Sequence, residues 1–405
     1  MSKSKLTISV IGLGYIGLPT AAFFASAGHR VFGVDVDRCV VDTVNSGAIH
    51  IVEPGLGELV SDVVTQGKLS AHTSVRPTDV YLICVPTPLI PRDGTPAPDL
   101  TYVYSAVEAV TPNLKAGDIV ILESTCPVGT SDRMFERISK DTGSEVEVYF
   151  AYCPERVLPG RVLEELDSNP RVVGGINEES TRIVSELYRS VTSAPVFETN
   201  AKTAEMSKLA ENSYRDINIA FANELSLICH EHNLDVWQLI TAANMHPRVD
   251  ILQPGPGVGG HCIAVDPWFI VSESPTSSRL IRTAREVNDE KPNWVAARVT
   301  EQAKRMGVNK VACFGLAFKP NIDDFRGSPA ELVVRSLLES GLAVACVEPH
   351  ISQHPEYALV SAQKAVEDCD LIVFLVNHDG FEQFRSLSVG PQVVTMDFCG
   401  ALQMK

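Results

Sequence analysis

"LTISVIGLGYIGLP", residues 6–19, decides the fold. A β-branched apolar run of strand length, Leu6 to Ile11, passes straight into Gly12-x-Gly14-x-x-Gly17 and then into a helical pattern. Asp35 ends the next such run, "RVFGVD". A strand, a glycine turn, a helix and a following acid make a dinucleotide site: the glycines admit a tight turn and close approach of a pyrophosphate to backbone N–H groups. Asp35 would accept the adenosine ribose hydroxyls and oppose a 2′-phosphate, which favours NAD over NADP.

Outward from that turn, strand-like runs continue through "DVYLICVPTP", "DIVILEST", "EVYFAYCPER" and "PVFETN", separated by helical patterns. This alternation predicts a doubly wound parallel sheet over residues 1–200. From about Ala201 the period becomes helical through "AEMSKLAENSYRDINIAFANELSLICHEH", which predicts a long helix or helix pair in a central domain, 201–300. "NKVACFGLAFKP", "LAVACVEPH", "DLIVFLVNH" and "QVVTMDFCG" then repeat the alternation over 301–405. The fold class is therefore α/β, with two Rossmann-like parallel-sheet domains joined by a central helical domain. "VIGLG" and "CFGLA" read as the same first turn used twice, the second without its full glycine set.

The chain has 405 residues and a net charge of −16, which repels polyanions and argues against a nucleic-acid partner. No apolar run reaches membrane-spanning length, so a soluble protein without a membrane partner is expected. Ten scattered cysteines without C-x-x-C spacing suggest reduced thiols in the cytoplasm and no metal site.

Two further features carry chemistry. Lys208, Asn212 and Arg215 stand at i, i+4 and i+7, one stripe of a helix. "GPGVGGHCIAVDP", residues 255–267, sets Cys262 behind a glycine-rich loop whose unblocked amides could depress a thiol pKa or hold an oxyanion. A thiolate adds to an aldehyde, and the adduct can lose a hydride. His261 and Asp266 are the nearby titratable groups, and the glycines would let backbone approach sugar and cofactor. "GLAFKPNIDDFRGSP" places Lys319, Asp323, Asp324 and Arg326 in the loop after the first strand of the second Rossmann unit, a usual ligand position.

Taken together, "GLGYIGLP", "VPTP", "ESTCPVGT", "CPERVLPG", "KLAENSYRDINIAFANE", "GPGVGGHCIAVDP" and "FKPNIDDFRGSP" resemble, in order, the motifs of the UDP-sugar 6-dehydrogenases. These are NAD-dependent four-electron enzymes that oxidise a C6 alcohol to a uronic acid. Val258, His261 and Val265, with "IHIVEPGL" and "SRLIRTAREVND", are similar to members acting on UDP-N-acetyl-D-mannosamine for surface polysaccharide precursors. UDP-N-acetylglucosamine and UDP-glucose are the alternative substrates. A two-electron hydroxyacid dehydrogenase would have no use for Cys262, and a silent sugar-nucleotide sensor would not need Lys208, Asn212, Cys262 and Asp266 together.

The resemblance implies Cys262 as nucleophile, Lys208 as acid/base and oxyanion group, Asn212 as a positioning residue and Asp266 as the residue orienting a water. It implies Thr125 and Glu155 near cofactor and catalytic water. Tyr15, Ile16, Thr87 and Arg326 join Gly12, Gly14, Gly17 and Asp35 as cofactor contacts. Arg156, Val157, Lys208, Asn212, Arg215, Gly259, Phe318 and Lys319 are the implied UDP-sugar contacts. His246 and Arg248 would complete the site of a neighbouring subunit in a homodimer. "MDFCG" departs from the family's usual ending, which puts a terminal basic ligand contact in doubt.

Overall fold

The computed structural model describes residues 5–92, 94–142, 147–158, 160–386 and 393–403. The chain forms two compact units, Met1–Ala210 and Glu211–Lys405.

In the first unit the apolar runs become strands β1 (Thr7–Ile11), β2 (Arg30–Val34), β3 (Leu69–His72), β4 (Val80–Ile83), a hairpin of β5 (Leu89–Arg92) and β6 (Thr95–Pro98), then β7 (Ile119–Leu122), β8 (Tyr149–Tyr152), β9 (Arg171–Gly175) and β10 (Val196–Asn200). The large sheet has the order β10-β9-β8-β7-β4-β1-β2-β3. Neighbours run parallel except where β9 meets β8 antiparallel, so β9 and β10 reverse the direction of the rest. Ile8 and Val10 of β1 pack in one core with Leu18 and Phe24 of the helix Gly17–Ser26. Ile11, Tyr81 and Leu122 pack in another, with Val103 and Met134 from two further helices. Both faces are thus covered, which is why β1, β4 and β7 read as continuous apolar runs rather than as alternation.

The second unit carries a parallel sheet of order β12-β11-β13-β14, from β11 (Lys310–Phe314), β12 (Ala343–Val347), β13 (Leu371–Phe374) and β14 (Val394–Asp397). The helical stretch resolves into Ala201–Glu231, which begins in the first unit, and Val236–Asn244, capped by Asp235. A second long helix, Arg279–Met306, contains Pro292. Proline cannot donate to the carbonyl of residue i−4, here Asn288. A Cβ added to Gly257 would lie 3.1 Å from that carbonyl and 3.2 Å from the Pro292 ring, so the glycine loop packs into this notch. Among the described residues no helix is long and apolar enough to cross a membrane.

Candidate active site

The first glycine turn is built by sterics. Gly12 has φ +90°, and a Cβ there would sit 2.6 Å from the Cys84 carbonyl. One on Gly17 would fall 1.8 Å from the Gly12 carbonyl oxygen. Gly14 differs, since no protein atom lies within 4 Å of its would-be Cβ. Packing therefore demands the outer two glycines, whereas the middle one leaves room for a ligand against the backbone. Asp35 is half-buried; its carboxylate accepts the Leu13 N–H at 2.9 Å and the Asp37 N–H at 3.0 Å. These features suit a pyrophosphate at the start of Gly17–Ser26 and ribose hydroxyls at Asp35. Tyr15 and Ile16 lie in the turn itself. Thr87 and Thr125, both half-buried, lie in the loops after β4 and β7.

Lys208 donates from Nζ to the Glu155 carbonyl oxygen at 2.8 Å. The Glu155 carboxylate is buried: Arg171 donates to it at 2.7 Å and the Arg156 N–H at 2.7 Å. Arg156 also donates to the Pro170 carbonyl, and Arg156 and Val157 are half-buried.

Spacing alone missed the group beneath these residues. Tyr188 donates to Glu123 at 2.6 Å, and the Cys84 thiol to the same carboxyl at 3.2 Å. Burial pushes the Glu123 carboxyl up, with Glu155 adding to the rise, and lifts Cys84 well above an ordinary thiol. Cys153 is raised to about 12 by burial. These two thiols remain protonated at neutral pH and are poor nucleophiles.

In the second unit Cys262 is half-buried in the turn before the helix Asp266–Glu273, and its carbonyl accepts the Asp266 N–H at 2.8 Å. His261 Nδ1 lies 3.1 Å from Cys262 Sγ. Asp266 is buried, and its carboxylate accepts the Asn212 amide at 2.5 Å. The fold therefore brings Cys262, His261, Asp266 and Asn212 together. Arg215 lies further along the same long helix, exposed.

The loop glycines have a reason that local spacing does not convey. A Cβ on Gly259 would meet the Gly327 carbonyl oxygen at 2.6 Å and Phe318 at 2.9 Å. Gly260, at φ +82°, would strike the Phe318 ring at 2.9 Å, and its N–H donates to the Arg326 carbonyl at 3.1 Å. These glycines dock the loop on the 318–329 segment, a demand made by protein packing before any ligand is considered. The Lys319 ammonium stands 5.9 Å from the Phe318 ring centroid. Arg326 pairs with Asp324 at 2.6 Å; burial works to raise the Asp324 carboxyl, but Arg326 holds it below its ordinary value.

The loop is also held from its other end. The side chain of Asn223, fully buried, accepts the Gly255 N–H at 2.8 Å and donates to Asn288 at 2.8 Å. Asn288 donates to Asp216 at 2.8 Å, and Arg285 pairs with Asp216 at 2.5 Å. Burial raises Asp216 to about 6 despite that arginine. Charged residues in a helical pattern read as a solvated face, so only their position opposite another long helix reveals this ladder.

His246 and Arg248 are exposed in a loop closed by two Asn244–Ile251 hydrogen bonds, of 2.8 and 3.0 Å. Cys399 is half-buried after β14; its N–H donates to Asp397 at 3.0 Å, so this tail is tied to its own strand. Among the described residues no group of three or more His, Cys, Asp or Glu side chains could hold a metal ion.

Three family descriptions match successive parts of the chain. They are the NAD binding domain of the UDP-glucose/GDP-mannose dehydrogenase family at residues 6–192, its central domain at 202–290 and its UDP binding domain at 312–403. The NDP-N-acetyl-D-galactosaminuronic acid dehydrogenase of Ralstonia nicotianae is 51% identical over 94% of this chain and 92% of its own. The UDP-N-acetyl-D-mannosamine dehydrogenase of Escherichia coli K12 is 50% identical over 96% of this chain and 98% of its own. A solved UDP-D-ManNAc dehydrogenase from Pyrococcus horikoshii is 38% identical with a TM-score of 0.90, covering 98% of this chain and 96% of that one.

Proposed function

Since this chain belongs to the UDP-glucose/GDP-mannose dehydrogenase family of NAD-dependent oxidoreductases, we propose that it oxidises UDP-N-acetyl-D-mannosamine twice at C6, giving the uronate. The observation that carries this reading is Cys262, accessible in a packed glycine loop beside His261 and the Asn212–Asp266 pair. NAD, when bound at the Gly12–Gly17 turn, supplies the hydride acceptor for each of the two oxidations.

Lys208 or a water oriented by Asp266 takes the C6 hydroxyl proton in the first oxidation. Cys262 adds through sulfur to the aldehyde carbon, forming a thiohemiacetal whose oxygen is stabilised by Lys208. Loss of hydride from that carbon leaves a thioester, and a water positioned by Asp266 and Glu155 releases the acid and restores the thiol. Asn212 keeps Asp266 in place. Thr125 and Thr87 border the cofactor with Tyr15, Ile16 and Arg326, while Arg156, Val157, Arg215, Gly259, Phe318 and Lys319 hold the UDP-sugar. Replacing Cys262 by Ala is expected to abolish uronate formation while NAD binding is unchanged; normal turnover by that variant would contradict the mechanism.

The sugar is the finer point. The mannosamine and galactosaminuronic relatives both carry an N-acetyl group in their names, and they are similarly close to this chain. Assayed side by side, UDP-N-acetylmannosamine is expected to exceed the N-acetylgalactosamine, N-acetylglucosamine and glucose analogues in kcat/KM. A better rate with UDP-glucose would overturn the assignment.

The protein works in the cytoplasm as a homodimer, supplying surface polysaccharide precursors, with the division 1–200, 201–300 and 301–405 into cofactor, helical and UDP-sugar domains. Tyr214, Phe221 and Ile228, exposed at 70%, 49% and 44%, recur at seven-residue spacing on the long helix, an apolar row that a second copy would cover. His246 and Arg248 then reach the neighbour's sugar. Phe221→Glu is expected to give a monomer by light scattering with activity reduced at least tenfold; an unchanged dimer would remove this row from the interface.

A further inference from the structure

A pocket of about 210 Å³ lies within the second unit, where Trp237, Trp294 and Phe398 form its walls. Its size is below the ~300–1,000 Å³ typical of drug-sized ligands, so its occupant is a fragment-sized molecule. The walls are flat and apolar: Trp294 meets Phe398 edge to face at 6.1 Å between centroids.

Lys291 also lines the pocket although only 3% of its surface is exposed. Its ammonium donates to the Ser226 hydroxyl and, at 3.4 Å, to the Asn223 carbonyl oxygen, and stands 4.5 Å from the Trp294 ring centroid. Neither partner is charged, and no carboxylate among the described residues pairs with it. Burial pushes the amine down to about 7. Burial thus favours the neutral amine, an anion seated at the cavity wall would restore its charged form, and groups perturbed in this way mark candidate binding sites. The two carboxylates lining the pocket are occupied elsewhere: Asp235 accepts the Trp237 and Gln238 N–H groups, and Asp397 accepts those of Cys399, Ala401 and Leu402. Among the described residues neither forms an ion pair with Lys291.

We infer that this pocket binds a small planar carboxylate, with its anionic end on Lys291 and its ring against the Trp237 and Trp294 walls. Two of the chain's three tryptophans line the pocket and report on it. Benzoate, titrated into the full-length protein with excitation at 295 nm, should quench tryptophan fluorescence saturably. Benzamide, the same shape without charge, should bind at least tenfold more weakly. Lys291→Met should weaken benzoate at least tenfold. Leu234→Trp, at an exposed residue of the pocket lining, should block it while leaving turnover of the sugar nucleotide intact, which separates this pocket from the active site. Absence of saturable quenching in the unmodified protein, equal binding of benzamide, or undiminished binding by a folded Lys291→Met variant would each overturn the inference.

Discussion

The two Rossmann units make the same first turn and leave it with different uses. In each, a glycine at φ +90° donates its N–H to the end of the next strand at 2.8 Å, Gly12 to Val34 and Gly315 to Val347. In each, an acid after that strand accepts the N–H of the residue following the glycine, Asp35 from Leu13 at 2.9 Å and Glu348 from Leu316 at 2.8 Å. The units then diverge. Where the first has Gly14 with open space above it, the second has Ala317, 1% exposed. Where Asp35 is half-buried, Glu348 is buried under His378, 3.1 Å away, and also accepts the Ala317 and His350 N–H groups. The turn is thus an anchor in both units, and it offers room for a nucleotide only where the middle residue lacks a Cβ and the acid retains exposure. From this difference we propose that the second unit takes its ligand at the Phe318–Arg326 loop rather than at the acid.

The comparison can be broken at three points, from the largest effect downward. Gly315→Ala would place its Cβ 2.4 Å from the Val376 side chain at a backbone angle L residues avoid. Overpacking with strained backbone costs roughly 3 kcal/mol, so a large fall in Tm by calorimetry is expected; an unchanged Tm would mean the turn is not an anchor.

Glu348→Gln should cost about 2 kcal/mol at pH 7, because the acid's bonds to His378 and three backbone amides are charge-assisted. Burial works to raise this carboxyl, but the His378 bond and the amides hold it below its ordinary value. A depressed carboxylate contributes stability above its unfolded pKa and loses it as pH falls through the folded one. The stability gap between wild type and Glu348→Gln should therefore be full at pH 7 and close below about pH 4.3. A gap independent of pH would contradict the charged role.

Asp35→Ala should do the reverse, weakening NAD about thirtyfold by calorimetric titration, or about 2 kcal/mol at 1.4 kcal/mol per tenfold, with a smaller loss of stability than Glu348→Gln. Equal effects of the two substitutions on NAD would erase the distinction drawn here.

Much of this was legible along the chain because it is local. Strand-length apolar runs, the Gly12–Gly17 turn with Asp35, and the helical period after Ala201 each follow from neighbouring residues. The reversed direction of β9 and β10 was not legible, since apolar patterning specifies which faces are buried and not which way a strand runs. Nor were the partners of Gly259 and Gly260, because Phe318 and Gly327 lie far along the chain. Asp216, Arg285 and Glu123 are charged residues buried by tertiary packing, and their letters match those of a solvated surface; Cys84 sits in an apolar run, but nothing local pairs it or Tyr188 with Glu123.

The measurement that bears most directly on Cys262 is the yield of NADH per molecule of limiting UDP-N-acetylmannosamine, taken to completion. Four-electron oxidation through the thiol predicts two NADH for each uronate formed. One NADH per sugar, with an aldehyde as the released product, would contradict it.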